Sequence, residues 1–439
     1  MKKYVIWGIL LALLLCSCEK EEESNPDTVN FAECPTIAIE DVETLPLLNT
    51  GHNGSVGEPI DPNAAQQGFF CLKWEETDGG AYGNENAFVY FNDFTTGEIY
   101  SVCAKTNCTH DDYHCNAYLK NATHLYYDGS YLYYFAGNSC QFWRMNSDGT
   151  DRKMLFECNE KAESRALINI GSAIYLDGKV YFNTFGVIMN PETLEIETGE
   201  HICVGDLKTG KYIVMPIAFE ANKGGSTLNL IGMYDSLLVI RHSNVLSSIG
   251  GYQKNEETVY LLDVNTLETT VLCQWKWDIN DDSVGVSFVT EPIDEGYMIF
   301  KIHSSSYQYP TYADGSVVAV GPGIRLFVDL SQKKAYRMTS QDALSNEEIV
   351  VDGKWIHLRW NNDHTLVEKV IQDLATGEII LFPETVRDIN FNFSIQSVGD
   401  YFIVGVSSED GYINGRILKE DYWTGKTEII RFPEWMILS

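Results

Sequence analysis

A turn built on aspartate or asparagine, closely followed by Thr-Gly-Glu/Lys or a variant, recurs between apolar stretches at Asp93, Asn146, Asp206, Asp263, Asp329, Asp373 and Asp421. The copies lie 44 to 66 residues apart. Self-similarity at such a period marks a repeat architecture and constrains the fold more than any single motif. A second turn recurs out of phase with the first, at Asp128-Gly129, Asp177-Gly178, Asp235-Ser236, Glu295-Gly296, Asp352-Gly353 and Gly399-Asp400, between runs of alternating aromatic and β-branched residues. Asp-Gly in that setting signals a tight hairpin, because Gly and Asp tolerate the positive φ the turn requires. Each unit therefore contains two successive hairpins, or four antiparallel strands.

A four-stranded ribbon cannot bury both of its faces alone. Stacking like units face to face buries them, and closing the stack into a ring leaves no long exposed edge. The predicted fold class is thus all-β, a β-propeller of about seven four-stranded antiparallel blades, with six or eight also compatible, in a single domain over residues 36–439. No apolar period of 3.6 residues persists for three turns after residue 30, so helix is not expected. The aromatic content of 12% suits strands packed between blades. A sandwich array would show polar linkers, and solenoid repeats are shorter and more uniform. Unit one is incomplete, because no Asp-Gly hairpin precedes Gly68-Phe-Phe-Cys71-Leu-Lys-Trp74. Its innermost strand is expected from residues 36–47 or from Trp435-Met-Ile-Leu438.

The chain opens with Lys2 and Lys3 and an apolar run from Tyr4 to Leu15, the charged and apolar regions of an export signal over residues 1–17. That run is too short to span ~30 Å of hydrocarbon as a stable anchor. The following Leu15-Cys16-Ser17-Cys18 resembles the lipobox of bacterial lipoproteins, and the resemblance makes Cys18 the lipidated residue, with Ser17 favouring it over Cys16. Residues 18–35, with the acidic run Glu19 to Glu23, read as a disordered tether. The expected location is the cell envelope, extracytoplasmic and held to the lipid bilayer through the N-terminus. Against 31 basic side chains stand 62 acidic ones, a net charge of −31. That balance argues against nucleic acid and anionic headgroups as partners, since both are held by basic patches.

The repeat resembles bacterial β-propeller lipoproteins related to the TolB-like and low-density-lipoprotein-receptor-like propellers. The similarity covers roughly residues 65–435, and residues 144–155, Arg-Met-Asn-Ser-Asp-Gly-Thr-Asp-Arg-Lys-Met-Leu, match best. It implies a scaffold and no particular activity. Tyr422-Trp423-Thr424-Gly425 looks like the receptor propellers' YWTD box but lacks its Asp and falls in the turn before a unit's last strand, so it is read as coincidence.

Chemical character is concentrated in Cys103-Ala-Lys-Thr-Asn-Cys108-Thr-His110-Asp-Asp-Tyr-His114-Cys115, at the exit of unit one. Cys103, Cys108, His110 and Cys115 would complete a tetrahedral shell for a structural zinc ion. Disulfide pairing, within the connector or to Cys71 or Cys140, competes with it in an oxidising compartment. Disulfide pairing is slightly favoured, because the ligand spacing departs from the common CxxC knuckle. Free thiols are the third reading. Asp278-Ile-Asn280-Asp-Asp282 has alternating oxygens but lacks the Gly and the Glu of a calcium loop, so a solvated loop is the better reading.

No GxSxG, HExxH or phosphate loop occurs. Arg241, Arg325, Arg359 and Arg416 are scattered over the units, with no sign of a carboxylate clamp. The leading expectation is a binding or scaffolding module for an envelope protein, peptide or glycan. Its recognition loops would be the irregular connectors 50–67, 187–199, 243–256 and 303–322. Tyr307, Tyr309 and Tyr312 are the candidate ligand contacts. A glycan-acting hydrolase or lyase on the same scaffold is the alternative.

Overall fold

The computed structural model describes residues 29–30, 68–74, 86–136, 140–158, 167–189, 196–215, 217–218, 226–249, 252–278, 286–290, 296–304, 320–321, 323–331, 333–337, 344–345, 349–360, 366–373, 378–381, 390–408, 411–424, 426 and 428–433. Among them the chain forms a succession of four-stranded antiparallel sheets, numbered here in chain order. Sheet two, Ala122–Tyr127, Tyr131–Ala136, Gln141–Asn146 and Lys153–Glu157, shows the pattern, each strand pairing with the next. Sheet three (Leu167–Leu176, Lys179–Met189, Ile196–Asp206, Lys211–Val214) and sheet four (Ser226–Tyr234, Leu237–Ile249, Tyr252–Asp263, Thr269–Asp278) repeat it. So do sheet five (Val286–Thr290, Tyr297–Ser304, Gly323–Asp329, Lys334–Arg337) and sheet six (Ile349–Val351, Lys354–Trp360, Leu366–Asp373, Ile379–Leu381). Sheet seven is Asn390–Val398, Tyr401–Ser408, Gly411–Leu418 and Ile430–Arg431.

Among the described residues, both families of turns fall where the sequence places them, with the exception of the last repeat turn at Asp421. Leu176 pairs with Lys179 across Asp177-Gly178, and Val351 with Lys354 across Asp352-Gly353. All four turn residues have positive φ, between 49° and 70°, which fits the tight turn favoured by right-handed strand twist. In the second family the aspartate side chain organises the turn. Asp206 Oδ1 accepts from the N–H groups of Lys208 at 3.0 Å and Thr209 at 2.6 Å. Asp93 does the same for Thr95 and Thr96, as an Asx turn requires. The two turns of a unit are neighbours: Leu207 N–H donates to Gly178 O at 3.0 Å, and Val264 N–H to Ser236 O at 2.9 Å. In an antiparallel meander the hairpin between strands two and three must then lie at the opposite end.

Where the side chains are described, consecutive sheets pack face to face. Leu119, Ala122, Leu132 and Met145 join sheet two to sheet one, which is formed by Gly68–Trp74, Asn86–Asp93, Ile99–Ser101 and Tyr118–Lys120. Phe135, Phe142, Phe156 and Phe182 join two and three, with ring centroids 4.8 Å apart for Phe142 and Phe156 and 5.1 Å for Phe135 and Phe182. Leu228, Leu238, Ile202 and Leu262 join three and four, and Ile356, Ile371, Phe402 and Ile417 join six and seven. Sheet one in turn meets sheet seven: Phe69 and Phe94 pack with Val398, Ile403 and Phe432. Arg416, buried at 4% exposure, lies over the rings of Phe94 at 4.5 Å and Tyr401 at 5.0 Å. First packing on last is the hallmark of a ring, and the fold is an all-β propeller. Each fully buried Phe or Leu contributes about 1.5–3 kcal/mol, so the seams carry the stability.

Sheet one departs from the others. Gly68–Trp74 pairs with Asn86–Asp93, whose other edge is shared by two short strands, Ile99–Ser101 and Tyr118–Lys120. By the position of its Asp93 turn, Gly68–Trp74 occupies the second place of the unit, and the innermost place is not filled among the described residues. The segments expected to fill it, 36–47 and 435–438, lie outside them.

Two expectations are corrected. Within the stretches expected to be irregular connectors, residues 187–189, 196–199, 243–249 and 252–256 are strand. The ladders of sheets three and four continue through them to Met189↔Ile196 and Ile249↔Tyr252. Polar Ser and Asn residues obscured a strand that the Gly250-Gly251 dipeptide between Ile249 and Tyr252 had signalled. The last repeat turn is replaced by one helical turn, Lys419–Thr424, because Tyr422 and Trp423 bury against Phe402, at 5.0 and 5.2 Å. Separately, Val29–Asn30 run parallel to Ile217–Ala218.

A buried polar bolt crosses sheets three and four. At the bulge between Ile170 and Ala173, Ser172 N–H and hydroxyl donate to Asn183 Oδ1, both at 2.7 Å. Asn183 Nδ2 donates to Leu228 O at 2.6 Å, and Leu230 N–H donates to Ser172 Oγ at 2.9 Å. Asn183→Leu strands several of these groups in the core and is expected to destabilise by roughly 2–4 kcal/mol in chemical denaturation. The turn aspartates give a pH signature. Backbone donation from Thr95 holds Asp93, and from Thr209 holds Asp206, below the ordinary carboxylate value of 3.8. A depressed folded pKa contributes stability above the unfolded value that is lost as pH falls through the folded one. The thermal midpoint should therefore fall as pH drops below about 4, and Asp93→Asn with Asp206→Asn should flatten that slope.

Candidate metal centre

The split edge of sheet one is the origin of the site. Val89, in the strand Asn86–Asp93, holds both ends of an excursion: Val102 N–H donates to Val89 O, and Val89 N–H donates to Ala117 O, each at 3.0 Å. Between these anchors residues 103–116 leave the outer edge of the sheet and return to it. The excursion is folded by its own polar groups. Asp112 caps the last turn, accepting from His114 N–H at 2.9 Å through Oδ1 and facing His114 Nδ1 at 3.1 Å through Oδ2. Lys105 Nζ donates to His114 O. Asn107 and His110 adopt left-handed φ of 64° and 59°, conformations that reverse the chain tightly.

The result is convergence. Cys103 Sγ, Cys108 Sγ, Cys115 Sγ and a ring nitrogen of His110 all lie within 4.8 Å of one another. His110 Nδ1 stands 3.4 Å from Cys115 Sγ. A tetrahedral ion with Zn–S bonds of ~2.3 Å spaces its sulfurs ~3.8 Å apart, so the cluster could hold a zinc ion. Cys115 is buried in the seam between sheets one and two, with Cys103 and Cys108 packed against it. The thiols differ in character. Burial opposes ionisation of Cys103, but the N–H groups of Lys105 and Asn116 and the Cys115 and Cys108 thiols outweigh it and hold its pKa below the ordinary value. Burial pushes Cys115 up to about 11, with the Ala117 N–H opposing and its two cysteine neighbours adding.

The connector thiols of Cys103, Cys108 and Cys115 are free. The two outside partners considered for them face elsewhere. Cys71 packs with Phe69 toward sheet seven, and burial drives its thiol to about 12. Cys140 is buried near Cys203 in the region of sheets two and three. Cys18, Tyr307, Tyr309, Tyr312 and residues 279–282 lie outside the described residues. Of the scattered arginines, Arg416 is committed to the seam of sheets one and seven.

Sequence reading missed what seats the excursion. The sheet two turn Asn146-Ser-Asp148-Gly149-Thr150 presses on it: Ala104 N–H donates to Asp148 O at 3.1 Å, and Arg152 donates to Asn116 O at 2.7 Å. A Cβ at Gly149 would stand 2.6 Å from Val102 O and 2.7 Å from Asn116 O, at φ +77°. The signal was present as one more copy of the repeat turn, whose contact with a distant connector no local pattern reveals. Gly149→Ala combines a steric clash with a strained φ and is expected to cost more than about 2 kcal/mol, read as a lowered denaturation midpoint.

No family model matches the chain, and no curated protein matches it. Among solved structures it is similar to TolB from Acinetobacter baumannii, at 13% identity over 82% of this chain and 78% of that one, with a TM-score of 0.28. It is also similar to a chain of a nidogen/laminin complex, at 9% identity over 71% and 92% with a TM-score of 0.25. A PL25 ulvan lyase is similar at 8% identity over 88% and 98%, with a TM-score of 0.37.

Proposed function

We propose that the chain is exported, lipidated at Cys18, and works as an extracytoplasmic binding or scaffolding module of seven blades at the cell envelope. The observation that carries the binding reading is the asymmetry between the two ends of the ring. One end bears short, stereotyped Asp-Gly and Asp-Thr-Gly turns. The other bears hairpins between second and third strands that vary in length from sheet to sheet, from Tyr131–Ala136 with Gln141–Asn146 to Leu237–Ile249 with Tyr252–Asp263. Variable elements on a rigid frame are where recognition resides. A peptide, glycan or protein partner is therefore assigned to the end with the long hairpins. The net charge of −31 speaks against nucleic acid.

Two measurements test this. Metabolic labelling with a fatty acid should mark the wild-type protein and not Cys18→Ala, which should appear in the soluble fraction. Crosslinking in the native envelope should capture a partner through residues of the long hairpins and not through the opposite turns. New reducing ends or unsaturated products from a polysaccharide panel, abolished by replacing carboxylates of the same end, would replace binding with glycan cleavage.

A further inference from the structure

We propose that Cys103, Cys108, His110 and Cys115 bind one zinc ion, and that this ion is a structural staple between the first two blades of the ring. The proposal is independent of what the ring binds. Four donors from a 13-residue stretch meet within 4.8 Å. A disulfide would join two sulfurs and leave the third thiol and the imidazole unused, whereas a tetrahedral ion uses all four.

The surroundings suit thiolates. The Ala117 N–H points at Cys115 Sγ, 3.4 Å away, and the Lys105 and Asn116 N–H groups donate to Cys103. Such N–H···S contacts spread the negative charge that three thiolates bring to a divalent cation and fix the orientation of the ligands. On binding, the three thiols lose their protons to solvent while the imidazole coordinates in its neutral form, so up to three protons are released for each ion taken up.

Position in the fold argues for a structural role. The excursion leaves the outermost row of sheet one, which in a propeller is the rim and not the mouth of the central channel. No open coordination place remains once four protein ligands are in position, and an open place is what a catalytic zinc needs. The ion would instead close the excursion at its base, where Val89 receives both of its ends, and hold Val102 and Asn116 against the Gly149 turn of sheet two. A seam that already has an apolar core would gain a fixed outer margin. Small helix-free excursions have little core of their own, and metal ligation is one way to order them.

The test uses the full-length protein released from a bacterial envelope without chelator or reductant. Elemental analysis should find about one zinc per chain, and exchange with cobalt should give the visible absorption of a tetrahedral thiolate site. The connector thiols should resist a thiol reagent until a chelator is added, and chelation should lower the melting temperature. Cys108→Ser and His110→Ala, both outside the buried core, should weaken cobalt binding by more than about tenfold while leaving the β-sheet circular dichroism intact. Wild-type protein is measured alongside, so the chelator response stands even where a variant folds poorly. Metal-free protein whose connector thiols react at once, a mass-spectrometric linkage between two of the three cysteines, or zinc retained by both variants would each overturn the proposal.

Discussion

Sheets one, two, three and seven bury apolar side chains on both faces, and the ring follows from the need to cover each such face with another sheet. Phe135, Phe142 and Phe156 of sheet two leave water fully only where Phe182 and its neighbours in sheet three cover them. The same need links sheet one to sheet seven through Phe69, Phe94 and Phe432, which turns a stack into a ring. Closure brings a cation into the seam: Arg416 is accommodated between two aromatic rings, where desolvation lowers its pKa and the ring faces offset part of that cost.

Polar groups within the seams give the packing its register. Apolar faces slide over one another at little cost, while the Ser172–Asn183–Leu228 network tolerates one alignment of sheets three and four. Lys419 acts similarly between the last two sheets, donating to Asp352 Oδ1 at 3.1 Å and Ser397 Oγ at 2.5 Å. These groups follow from tertiary neighbours 11 to 67 residues away in the chain, and for that reason nothing in the local sequence announces them.

The cysteine excursion joins these two levels. Its ligands are close in sequence, so a donor set was visible there at once, together with the competing possibility of disulfides. The geometry that gathers them depends on the outer edge of sheet one being broken at Val89 and on the Gly149 turn arriving from the next blade. Its place at the rim, away from the end with long hairpins, separates the candidate metal centre from the surface assigned to recognition.

The repeat was legible because Asp-Gly and Asp-Thr-Gly turns are dictated by local backbone conformation, and a local requirement leaves its mark wherever it recurs. Four strands per unit and the all-β class follow from those turns and the alternating side chains between them. The sequence read poorly where burial overrode local preference, as at Tyr422 and Trp423, whose core contacts fold a repeat turn into a helical one. It read poorly also where polar residues continue a ladder, as in Ser243 to Ile249. Which seam each face fills, which thiols meet and which turn presses on which excursion were decided by tertiary structure alone, because contacts between residues far apart in the chain depend on the shape of the closed ring.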